Sequence, residues 1–190
     1  MLLTAATRTI AHNKARRVFF SFHYQNDLWR AQVVKNSWVT AENREGAGFW
    51  NASLETEAKT KGDAEIKQMI DEALIGCSVT AILIGSGTTP HKYVLYEIQK
   101  SYDEGKGLLG VRMHRIKNLQ KETLPPGNNP LDSITVPRKD RNIFGSDIVV
   151  QRKLSEIFKT YDFAAHDGYY NLGAWVEEAI KLAGRKSLQL

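Results

Sequence analysis

Ser78-Val79-Thr80-Ala81-Ile82-Leu83-Ile84-Gly85 is the stretch that decides the fold. Six apolar or β-branched residues run without polar alternation between a Ser and a Gly, as in a strand buried on both faces. On its N-terminal side, Ile66, Met69, Ile70, Ala73 and Leu74 recur at helical spacing behind Asp63, with Asp63 as cap and Gly76 as stop. On its C-terminal side, Gly85-Ser86-Gly87-Thr88-Thr89-Pro90 reads as a tight loop, with Thr89 as N-cap and Pro90 at the first helical position. The helix that follows carries Val94, Leu95, Ile98 and Tyr102 inward and stops near Gly105.

Further out the same alternation continues. Val18–Tyr24 is an apolar, aromatic strand run that breaks into polar Gln25-Asn26-Asp27, after which Leu28, Ala31, Val34 and Trp38 mark a helix. Gly46–Ser53 is a weaker strand or loop, and Leu108–Met113 another strand. Residues 117–145, with Pro125-Pro126-Gly127-Asn128-Asn129-Pro130, read as a long irregular excursion. Ile157–Phe163 reads as a strand, and Leu172, Trp175, Val176, Ala179, Ile180 and Ala183 as an amphipathic helix capped by Asn171 and ended by Gly184. Alternating strands and helices predict an α/β fold, a parallel sheet with helices on both faces. In flavodoxin-like order, Val18–Phe22 and Val79–Ile84 are neighbours at the switch point. A ligand then sits beyond their carboxyl ends, between the Phe22–Gln25 and Gly85–Thr89 loops.

Composition narrows the function. The 190 residues hold 26 Lys+Arg against 21 Asp+Glu, a net +5, and one cysteine, Cys77. A single cysteine excludes an internal disulfide and any cysteine-based zinc site, and suits a reducing, cytoplasmic setting. No apolar run approaches the roughly 18 residues of a membrane helix. The basic excess is not one stripe and no zinc-finger or RNA-binding signature appears, so neither a membrane nor a nucleic acid is an expected partner. Residues 1–15, acid-free and without apolar periodicity, read as a flexible N-terminal leader ahead of a single domain over residues 16–184.

The candidate chemistry is concentrated beside that crevice. Gly85-Ser86-Gly87 resembles a phosphate loop, but Pro90 stands where a third Gly would be and the strand is not the first of the fold. Glu97 lies mid-helix, one turn from Tyr93 and Ser101, next to Tyr96 and beside the buried Val94 and Ile98. A carboxylate bordering an apolar face suits ribose binding; the plain alternative is an exposed helix Glu. His23 falls in the site loop, His166 reads as a turn residue, and no His spacing converges on a metal. Ser21 has no nucleophile elbow around it. The aspartates of a phosphorelay receiver are missing too: Gly85 stands where its central Asp would be.

Arg17-Val18-Phe19-Phe20-Ser21-Phe22-His23-Tyr24, Gly48-Phe49-Trp50-Asn51-Ala52-Ser53-Leu54, Ser78–Gly85 and Tyr93-Val94-Leu95-Tyr96-Glu97-Ile98 together resemble the TIR-like family of prokaryotic antiviral systems, the Thoeris kind above all. Gly127-Asn128-Asn129-Pro130-Leu131-Asp132 and Asp167-Gly168-Tyr169 extend the likeness, which runs from about Arg17 to Trp175. The resemblance implies NAD⁺ as substrate with no further cofactor and no metal, and Glu97 as the catalytic residue. It implies substrate contacts from Ser21, Phe22, His23, Tyr24, Asn51, Gly85, Ser86 and Tyr93. It also implies a phage-derived activator, a homo-oligomer, and an effector protein reached through a diffusible cyclic or modified ADP-ribose. Two positions depart from the family: Tyr93 stands where Trp is frequent and keeps an aromatic surface, while Asn51 stands where Asp is frequent and loses a charge. Nicotinamide leaves readily, so its cleavage needs a carboxylate that holds ribose hydroxyls and stabilises an oxocarbenium-like transition state. Phe22, Tyr24 or Tyr93 would stack on a planar ring. Water as nucleophile gives ADP-ribose, and an internal hydroxyl gives a ring. A non-catalytic adaptor acting by TIR–TIR assembly and a nucleoside glycosyl-transfer enzyme both fit the same residues.

Overall fold

The structure, a computed structural model, describes residues 16–22, 28–40, 44–47, 62–86, 88 and 91–184. Its main sheet contains β1 (Arg16–Ser21), β2 (Arg44–Ala47), β3 (Val79–Ile84), β4 (Gly107–Arg112) and β7 (Thr160–Asp162). These five are parallel in the order β2-β1-β3-β4-β7. Val18 aligns with Val79 and Ser21 with Ile82, so the first strand and the central strand are neighbours and the switch point falls between them. All six residues of β3 are buried, as its unbroken apolar run requires.

Helices cover both faces. α1 (Leu28–Val39) and α5 (Gly168–Gly184) bury Ala31, Val34, Trp38, Leu172, Trp175 and Val176 against Val18, Phe20, Val79 and Val111. On the other face, α2 (Asp63–Leu74) packs Ile66, Ile70 and Leu74 with Phe19, and α3 (Lys92–Asp103) packs Val94, Ile98 and Tyr102 with Ile82, Ile84 and Leu108. Burial of large apolar side chains on both faces, at about 1.5–3 kcal/mol each, is the dominant stabilising contribution.

Several local readings are corrected. Gly62, not Asp63, is the N-cap of α2; Asp63 occupies the first turn, where its carboxylate pairs with Lys67 (2.9 Å) and Lys92 (2.8 Å) and titrates well below the usual carboxylate range. α3 starts at Lys92 with His91 as cap, its Nδ1 accepting from the Tyr93 N–H; residues 89 and 90, read as cap and first turn, lie outside the described residues. Asn171 sits inside α5, which begins at Gly168, and its amide donates to the His166 carbonyl. The strand read over Ile157–Phe163 is split: Leu154–Ile157 forms the short α4, and only Thr160–Asp162 joins the sheet.

The largest correction concerns the excursion after β4. It contains a 3-10 turn, Pro130–Ser133, and then an antiparallel hairpin of β5 (Thr135–Arg141) and β6 (Asp147–Lys153), a separate two-stranded sheet. The hairpin buries only Val136, so its strands carry charge on both faces and lack the period-2 apolar pattern that announces a strand.

Candidate functional site

Tyr93, Glu97 and Ser101 are spaced four apart, so they share one face of α3. That face lies along the seam of β1 and β3. Ser101 Oγ meets Thr80 Oγ of β3 at 2.6 Å, and one turn nearer the carboxyl edge the Glu97 carboxylate accepts a hydrogen bond from Ser21 Oγ at the end of β1. Tyr93 comes next along the same face, 9% exposed. Glu97 has no accessible surface, and Ser21 none either. The sequence alternative of an exposed helix Glu is therefore overturned: Val94 and Ile98 place the neighbouring faces in the core, and Glu97 goes in with them.

Among the described residues of the β3–α3 loop, Gly85 and Thr88 bond each other reciprocally. The Gly85 N–H donates to Thr88 Oγ (2.8 Å) and the Thr88 N–H returns to the Gly85 carbonyl (3.3 Å). The 125–129 segment presses on this loop so closely that a Cβ on Gly127 would collide with the Gly85 carbonyl oxygen. Arg112, at the end of β4, holds that segment by donating from Nη1 to the Gly127 carbonyl at 2.9 Å. Arg112 and His91 are site-building residues that the sequence reading missed. Gly127 is read in the sequence as part of the irregular Pro125–Pro130 run and of the family likeness, without its close approach to Gly85; a Gly followed by Asn-Asn-Pro is the available signal of a constrained loop.

Of the other residues singled out in the sequence, Gly85 is buried and Ser86 half-buried at the carboxyl end of β3. Phe22 is 2% exposed and belongs to the core beneath α1 and α5. Tyr93 carries the His91 ring at 5.4 Å and the Lys92 ammonium 4.6 Å from its ring centre, a cation–π contact at the mouth of α3. His23, Tyr24 and Asn51 lie outside the described residues. Among the described residues no group of three His, Cys, Asp or Glu side chains could hold a metal. No helix among them is long and apolar enough to cross a membrane.

A second polar group lies at the carboxyl edge of the same sheet, where β4 and β7 end. Asp162, fixed by the Ala164 and Ala165 N–H groups, faces His114 Nε2 at 3.7 Å and Arg115 Nε at 3.4 Å. His114 is 8% exposed, its Nδ1 has no hydrogen-bond partner, and burial holds its pKa below the ordinary value. Behind it, burial and the Glu178 carboxylate push the Tyr161 hydroxyl up to about 12.

A parallel sheet in this order, with a polar seam at its switch point, is the flavodoxin-like architecture expected of a TIR-like domain. The comparisons agree. Residues 19–118 match the family described as "Thoeris protein ThsB, TIR-like domain". A protein of Bacillus cereus (strain MSX-D12), named "Putative cyclic ADP-D-ribose synthase ThsB1", is 33% identical over 190 aligned positions that cover 85% of this chain and 99% of the relative. The chain belongs to the Thoeris ThsB TIR-like family.

Proposed function

We propose that this chain cleaves NAD⁺ at the nicotinamide–ribose bond and makes a cyclic or modified ADP-ribose that activates a partner effector in an antiviral response. The observation that carries the reading is Glu97: a carboxylate with no exposed surface, at the switch point, oriented by Ser21. The name of the Bacillus cereus relative supports it.

In this reading Glu97 accepts hydrogen bonds from the ribose hydroxyls and stabilises the positive charge that develops as nicotinamide departs, an effect strengthened by exclusion of water. Ser21 is a positioning residue, holding the carboxylate rather than attacking substrate. Gly85 and Ser86 line the phosphate side, and Tyr93 offers the aromatic surface for a planar ring; the family resemblance adds His23, Tyr24 and Asn51 as substrate contacts. A dry site favours an internal hydroxyl over water as nucleophile, and hence a ring. No resident cofactor is needed; NAD⁺ is the substrate. A phage-derived activator and assembly of protomers open the closed site, and residues 16–184 form the working domain.

The test is incubation of purified protein with NAD⁺, with and without extract of phage-infected cells, followed by mass spectrometry of the products. Nicotinamide together with a cyclic or conjugated ADP-ribose is the expected result. Cleavage of nucleosides but not NAD⁺ would move the chain to glycosyl transfer. Intact NAD⁺ in activated extract would leave the adaptor role.

A further inference from the structure

The β5–β6 hairpin stands apart from the main sheet, and from Pro137 to Lys153 not one residue is buried. Its tip presents Ile143 and Phe144, 92% and 85% exposed, on a turn that the Asn142 side chain locks by accepting from the N–H groups of Phe144 and Ser146. Val149, in β6, is 67% exposed. A two-stranded sheet with this much uncovered apolar surface is marginal alone and is ordinarily covered by a partner.

The ladder shows which edge is open. The Asn142 N–H bonds to the Ser146 carbonyl and the Leu154 N–H to the Ile134 carbonyl, fixing the phase of the pairs between them. By antiparallel alternation, Asp147, Val149, Gln151 and Lys153 point their N–H and C=O groups outward from β6. On β5 the outward set includes Pro137, which has no N–H to offer and guards that edge. The β6 edge carries no Pro.

We propose that β6 docks antiparallel against β6 of a second copy of this chain, joining two hairpins into one four-stranded sheet. The sequence Asp147-Ile148-Val149-Val150-Gln151-Arg152-Lys153 is charge-complementary to itself about Val150. In the register centred there, Asp147 faces Lys153 of the second copy, and by symmetry Lys153 faces its Asp147. Val150 meets Val150, and Val149 meets Gln151. The same register pairs the outward set of one strand with the outward set of the other, so each backbone group finds a partner. A twofold contact of this kind closes on itself and stops at a dimer. It also carries the Ile143–Phe144 tip toward α4 of the second copy, beside a mostly charged groove of about 320 Å³ lined by Arg152, Glu156, Ile157 and Leu182 together with Arg138–Asp140 of β5. This contact is independent of the reaction assigned to Glu97.

The experiment is sedimentation analysis of the full chain across a concentration series, with four variants. The parent is expected to dimerise. Asp147→Lys and Lys153→Asp each set like charges opposite one another twice per dimer and should weaken association about tenfold or more. The double variant Asp147→Lys/Lys153→Asp restores the complementarity and should regain parental association. Val149→Pro deletes an outward N–H while leaving the hairpin's own ladder intact, and should give a monomer that melts as a folded protein. A parent that stays monomeric at every concentration overturns the proposal. So does a dimer indifferent to Val149→Pro, or a double variant no better than its single parents.

Discussion

Replacing Glu97 with Gln separates chemistry from packing at this site. The amide keeps the size of the side chain and leaves an oxygen to accept from Ser21 Oγ, but removes the charge. A carboxylate without exposed surface carries a desolvation cost that hydrogen bonds only partly offset, so Gln should hold stability within about 1 kcal/mol of the parent or raise it slightly. For a chain of this size that is a melting shift of about 2–4 °C at most. Loss of one preorganised charge at the reacting ribose should lower the rate on the order of a hundredfold or more. The converse variant, Ser21→Ala, leaves the carboxylate in place without this donor. It should destabilise by about 1–3 kcal/mol, and the two changes together should be non-additive because they share one bond. The assay pairs thermal melting with NAD⁺ consumption in extract of phage-infected cells. A Glu97→Gln protein that melts like the parent and consumes NAD⁺ at the parental rate refutes the assignment. One that unfolds first would show Glu97 to be a structural acceptor.

Three further outcomes are expected. Gly127→Ala must move either its own loop or the Gly85 loop, and should lower stability by about 1–3 kcal/mol, read by urea unfolding, with loss of turnover as the site wall shifts. Burial lowers the His114 pKa from 6.5, so below that pH the unfolded chain binds a proton the native chain resists. Stability should therefore fall as pH drops through 6.5, and His114→Phe should flatten that part of the profile; equal slopes for the two proteins from pH 7.5 to 5 would count against it. A chain beginning at Arg16 should fold and retain turnover, because Arg16 itself makes the paired contact to Glu177 at 2.7 and 3.0 Å; loss of cooperative melting would show that residues 1–15 are needed.

The sheet was legible because its strands are buried on both faces. Val79–Ile84 and Val18–Phe22 are long apolar runs, and such runs have few alternatives to a central parallel strand. Helix α5 was legible for a related reason: Leu172, Trp175, Val176 and Ala179 face one core. The hairpin was not, since Arg138, Lys139, Asp140 and Arg141 advertise solvent rather than a strand, and only Val136 is buried. Helix starts were misplaced where tertiary contacts outbid local chemistry. Asp63 would have been a good cap, but Lys67 and Lys92 draw its carboxylate into ion pairs. Glu97 was found by position, yet its full burial was hidden because a mid-helix Glu resembles any exposed helix Glu in sequence.

Two buried polar pairs stand one turn apart on α3, one neutral and one carrying a carboxylate. Thr80 and Ser101 are neutral, satisfy each other at 2.6 Å and join β3 to the helix at little cost. Ser21 and Glu97 join β1 to the same helix in the same way, but with a charge. A Gln at position 97 would also accept from Ser21 Oγ without the desolvation of a carboxylate, so this one bond does not by itself call for an acid. In the reading proposed above, the negative charge at the carboxyl ends of β1 and β3 meets a positive charge that develops on bound substrate.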